Sequence, residues 1–130
     1  SALNGPDEKI SHLFEETVPT YPKAIIVGFG PIGQQVAHVL EEQECTVTVV
    51  EHNIDTLSQI NQQQRRIIYG DASVPNILHV TEITKATLLV ITVPEIATIV
   101  SIIKSARHLH PELQIITRIT YTSEIAQIQD

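Results

Sequence analysis

Methionine and tryptophan are absent, and 130 residues contain one cysteine. A lone Cys45 closes no internal disulfide, so this is not a disulfide scaffold, and the expectation is an inert thiol in a reducing compartment. Aromatic residues make up 4% of the chain, too few for the core of an aromatic-rich β-sandwich. Bases are scarce, 8 Lys and Arg against 15 Asp and Glu, for a net charge of −7. Such a surface has no electrostatic footprint for DNA or RNA, and no nucleic-acid partner is expected. No apolar run reaches the roughly 18 residues of a membrane span, and no signal peptide is evident. Because methionine is missing even at position 1, the expectation is a processed or recombinant piece, with Ser1-Ala2 a leftover of cloning.

What the chain does have is aliphatic. Hydrophobic residues, mostly Ile, Val, Leu and Ala, make up 42%, and charged residues 18%. One domain of this length buries roughly two-thirds of the surface its unfolded chain exposes. The composition suits a soluble fold of buried parallel strands covered by helices. Residues 1–22 are polar and broken by Gly5, Pro6, Pro19 and Pro22, which reads as a linker or N-terminal extension leading into a domain over 23–130.

From Lys23 onward strands and helices alternate. Ala24 to Val27 is a continuous apolar run, a buried strand. Pro31 to Gln43 carries Ile32, Val36, Val39 and Leu40, one face of a helix. Thr46 to Val50 is β-branched and reads as a strand. Ile54, Leu57 and Ile60 mark a short helix, and Ile67 to Tyr69 a third strand. Val74, Ile77 and Leu78 mark a helix with Pro75 in its first turn. Leu88 to Val93 is a fourth strand. Ile96 to Ala106 opens the longest helix, ending near His110-Pro111, and Leu113 to Ile119 is a fifth strand. Glu124 to Ile128 opens a last helix. Strict alternation predicts an α/β fold, a Rossmann-like doubly wound parallel sheet of about five strands in the order 3-2-1-4-5.

Between the first strand and helix stands Gly28-Phe29-Gly30-Pro31-Ile32-Gly33, a G-x-G-x-x-G. Three glycines so spaced arise by chance in roughly 4% of chains this long, so context must carry the assignment. The loop leaves a strand, opens a helix, and is followed by Glu51 at the end of the second strand. Gly28 permits the tight turn, Gly30 lets a pyrophosphate approach the backbone, and Gly33 lets helix and sheet pack closely. The free N–H groups of the first helical turn bind phosphates, and Pro31 fits there because it has no N–H to satisfy. Glu51, next to His52, would accept hydrogen bonds from ribose hydroxyls and repel a 2′-phosphate. NAD(H) or another adenosine nucleotide is therefore expected rather than NADP(H).

Further candidates cluster at the carboxyl ends of the other strands, where open parallel sheets bind ligands. Asp71 and Ala72 follow the third strand. Asp71 either faces the adenine or ribose across the cleft or serves only as a cap, while Ser73 caps the next helix. Thr92, Val93 and Pro94 close the fourth strand, and Glu95 follows them. Arg118 at the end of the fifth strand either reaches a phosphate or is a solvated strand end. Arg65-Arg66 reads as a solvated loop. His38, His108 and His110 lack metal-ligand spacing, and neither a metal site nor a catalytic triad is expected.

These residues resemble the TrkA-N family, also called KTN or RCK-N, over Lys23 to Asp130. The resemblance rests on Ala24 to Gly33, on Val49-Val50-Glu51 and above all on Tyr69-Gly70-Asp71-Ala72-Ser73. Leu89 to Pro94 and Ile115 to Arg118 strengthen it, and the Thr-Val-Pro turn is closer to the Kef-type antiporter branch. The resemblance implies a cytoplasmic regulatory domain that binds NAD(H) or AMP/ATP without transforming it. Its domains pair as homodimers and gate a potassium transport protein in the same polypeptide at the inner membrane. In Kef systems glutathione and its adducts also regulate. The family continues into a sixth strand, absent here, so a C-terminally truncated domain is expected. Two other classes compete: a free-standing nucleotide or redox sensor subunit, and the coenzyme domain of an NAD-dependent dehydrogenase. The latter needs a substrate domain, for which 130 residues leave no room.

Overall fold

A computed structural model describes residues 22–59 and 65–118. Five strands form one sheet in the order β3-β2-β1-β4-β5. They are β1 (Lys23–Val27), β2 (Thr46–Glu51), β3 (Arg66–Tyr69), β4 (Leu88–Ile91) and β5 (Gln114–Thr117), and every neighbouring pair is parallel. The helices are α1 (Pro31–Glu42), α2 (Ile54–Ser58), α3 (Pro75–Val80) and α4 (Ile96–Leu109). The predicted fold class and strand order are those observed.

The aliphatic runs explain the two-sided burial. Successive side chains of a strand point to opposite faces, so Ala24-Ile25-Ile26-Val27 needs cover on both. Ile26 packs with Val47, Val49, Val90 and Phe29 beneath Ala37 of α1. Ile25 and Val27 pack with Leu89 and Ile91 against Leu78 of α3 and Ile99, Ile102 and Ala106 of α4. Truncating the fully buried Ile26 to alanine would cost about 2–5 kcal/mol. This packing sets the strand ends level, and their carboxyl edge carries the loops described next.

Some boundaries differ from the sequence reading. β4 ends at Ile91, and β5 begins at Gln114 because the Leu113 N–H is taken by the His110 carbonyl. A 3-10 turn, Ile83–Lys85, went unforeseen, since one buried Ile83 carries no periodicity. Ser73 does not cap α3; its N-cap is Val74, which makes no side-chain cap bond. The predicted last helix at Glu124 and the lead segment up to residue 21 lie outside the described residues. Among the described residues no helix is long and apolar enough to cross a membrane.

Candidate functional site

The glycine loop is built by three constraints. Gly28 has φ +95, and a Cβ on it would lie 2.4 Å from the Thr92 hydroxyl, so no other residue fits without strain. At Gly33 a Cβ would lie 2.0 Å from the Gly28 carbonyl oxygen. The start of α1 thus presses onto the end of β1. The Thr92 hydroxyl lies 3.0 Å from the Val27 carbonyl oxygen and 2.9 Å from that of Gly28, pinning the turn to β4.

Gly30 differs. It is the N-cap of α1, in ordinary extended backbone, with nothing within 4 Å of where a Cβ would stand. The cap has no side-chain bond and the first turn carries no acidic residue. The first N–H groups of a helix lack intrahelical partners, and here no carboxylate of the first turn occupies them. They open on a cleft of about 270 Å³ lined by Gly30, Pro31, Ile32, Gly33, Thr92 and Arg118. The loop and Arg118, at opposite ends of the expected site, are therefore brought together. The arrangement suits an anion: helix dipole, free N–H groups and a guanidinium.

A second, smaller cavity of about 80 Å³ adjoins Gly28 and is lined by His52, Asp71, Ala72 and Val93. Glu95 and Thr98, from the start of α4, line it too. Glu95 belongs to the turn that the sequence already places at the ligand crevice, whereas Thr98, in the first turn of α4, was passed over. Asp71 Oδ1 accepts from the Ser73 N–H at 2.9 Å and the Ser73 hydroxyl at 2.7 Å. These bonds, led by the hydroxyl and aided by nearby His52, hold the Asp71 carboxyl below its ordinary value. The cavity is thus rich in acceptors, whereas the cleft presents donors.

Glu51 ends β2, as expected, and carries a second task there. It is 6% exposed and lines neither depression. Its Oε1 accepts the Phe29 N–H at 2.7 Å, and its Oε2 accepts the Asn53 N–H at 2.8 Å, with His52 Nδ1 at 3.7 Å from Oε2. The carboxylate braces the glycine loop against the end of β2, and each oxygen keeps further acceptor capacity. Phe29, read as a ligand residue, is corrected: its side chain is in the core and its carbonyl is engaged by Gln34 Nε2 at 2.9 Å. Pro94 is exposed and lines neither depression. The solvated-loop reading of Arg65 is also wrong, since it pairs with Glu41 and lies over the Phe29 ring. No metal cluster occurs among the described residues.

Against known proteins, a profile of the TrkA-N domain matches residues 24–130. A protein of Alkalimonas amylolytica that carries the name K(+) efflux antiporter KefB is 29% identical over 105 residues. The match covers 81% of this chain but 16% of that protein. The TrkA-N domain of inner membrane protein YbaL from Escherichia coli superposes with a TM-score of 0.76 at 26% identity, covering 86% of this chain and 83% of that one. The Kef CTD of Shewanella denitrificans, solved in an AMP-bound form, gives 0.64 at 28% identity, over 74% and 57% of the two chains.

Proposed function

The chain belongs to the TrkA-N domain family, and from that premise we propose that it binds an adenine nucleotide and regulates potassium transport by a Kef-type K+/H+ antiporter. NAD(H), AMP and ATP are the candidate ligands. The observation that carries the reading is the uncapped N-terminus of α1 facing Arg118 across an open cleft, beside an acceptor-lined cavity. Phosphates would lie on the loop N–H groups and Arg118. The nucleoside would meet Asp71 and His52, and its ribose hydroxyls the remaining acceptor capacity of Glu51. The AMP-bound Kef relative and the name of the Alkalimonas protein support both halves of the reading.

The nucleotide is a signal here and is not transformed. A ligand shifts a transporter between states only through its differential affinity for them. In this reading the domain pairs with a second copy on the cytoplasmic face of the membrane, and the nucleotide changes how the pair packs. The test is potassium flux in vesicles reconstituted with the full-length parent. Flux should depend on the nucleotide supplied, and Gly30→Val should remove that dependence while transport persists. Flux indifferent to every adenine nucleotide would refute regulation. In the isolated chain, hydride transfer to or from NAD(H) should be undetectable.

A further inference from the structure

Arg65 stands just before β3, outside both depressions, yet it is bound to the loop that forms them. Its guanidinium lies 5.2 Å from the centroid of the Phe29 ring. Its Nε donates to Glu41 Oε2 at 2.9 Å and its Nη2 to Glu41 Oε1, a forked pair with α1. Only 17% of the Arg65 side chain is exposed. A cation over a ring and a forked pairing with one carboxylate at once are within reach of arginine and not of lysine.

Phe29 connects this clamp to the site. Its ring is seated between Arg65 and the core, while its N–H donates to Glu51 Oε1 at 2.7 Å. The ring's seat therefore fixes where that N–H points, and Glu51 is the carboxylate assigned to the ribose. We propose that Arg65 is a positioning residue for the nucleotide site: by clamping the Phe29 ring it holds the Phe29 N–H on Glu51 and sets the glycine loop for its ligand. The proposal deepens the nucleotide-binding reading and rests on it for the identity of the ligand. The pair's place argues for this role. A salt bridge near the surface contributes little stability by itself, but this one braces the second residue of the loop.

The test compares the parent chain with Arg65→Gln and Arg65→Lys, and with Arg66→Gln as a control. Arg66 sits next in sequence, half-exposed and paired loosely with Glu82 at 3.7 Å. One readout needs no ligand: the amide proton shift of Phe29, which a carboxylate acceptor moves downfield. Both Arg65 variants should move it upfield, and Arg66→Gln should leave it in place. The other readout is calorimetric titration with AMP and NADH. Arg65→Gln should weaken binding about fivefold, the scale of a lost cation–π contact, with Lys failing to rescue it. A lower melting temperature with the Phe29 amide and both affinities unchanged would overturn the proposal. If the parent chain bound neither nucleotide, the functional reading would fail. The Phe29 amide alone would then decide whether Arg65 sets the loop.

Discussion

Gly30 separates binding from folding more cleanly than any other position in the loop. A Cβ there meets no heavy atom within 4 Å, and the backbone, at φ −69 and ψ −165, suits any L-residue. Gly30→Ala should therefore keep the fold and gain roughly 0.4–1 kcal/mol from the less flexible unfolded chain. For a chain of this size that is a rise of about 1–5 °C in melting temperature. The same Cβ would stand in the space through which a phosphate reaches the loop N–H groups. Losing two charge-assisted hydrogen bonds, at about 1.5–3 kcal/mol each, weakens binding by more than about a hundredfold. Gly30→Val should make the loss complete. Gly33→Ala is the internal contrast, because its Cβ would fall 2.0 Å from the backbone oxygen of Gly28. That variant should melt well below the parent whether or not ligand is present. Thermal melts and calorimetric titrations on the three variants check this. A Gly30→Val chain that binds nucleotide like the parent, or a Gly30→Ala chain that fails to fold, would refute the reasoning.

Glu51→Ala should act twice. It strips the acceptor from the Phe29 and Asn53 N–H groups, costing about 1–3 kcal/mol for a buried donor left unmade. It should also erase an expected preference of at least about tenfold for NAD(H) over NADP(H), since a charged hydrogen bond is worth about 1.5–3 kcal/mol. Denaturant melts and paired titrations read the two effects separately. Arg118→Ala should weaken AMP binding and flatten its salt dependence without changing the melting temperature, because the residue is exposed and lines the cleft. Ser73→Ala should raise the Asp71 carboxyl back toward its ordinary value, followed by a carbon-detected NMR titration. The depressed Asp71 favours the folded state above its unfolded value. That contribution falls away as pH drops through the folded value, so acid should destabilise the parent more than the Ser73 variant.

The parallel sheet was legible because both of its faces are covered, so each strand reads as an unbroken aliphatic run, and Pro31 and Pro75 mark the helix starts. The loop was legible because Gly28 and Gly33 have steric tasks that no other residue performs. What escaped depended on pairings across the chain. Glu51 looks like a ribose acceptor from its place at the end of β2. Its second task, bracing Phe29 across 22 positions, exists only once β1 and β2 are side by side. Arg65 beside Arg66 reads as a solvated pair until the fold brings Glu41, 24 positions away, and the Phe29 ring to it. Phe29 was misassigned because the variable positions of such a loop show no pattern that tells core from cleft. Ser73 looked like a cap because it precedes Pro75, but its hydroxyl is spent on Asp71.

The most direct test of nucleotide sensing is calorimetric titration of the purified chain with AMP, ATP, NAD+, NADH and NADPH. Saturable binding of at least one of the first four, weaker for NADPH and abolished by Gly30→Val in a folded protein, is the predicted result. A parent chain that binds none of them, or binds NADPH as tightly as NADH, would contradict it.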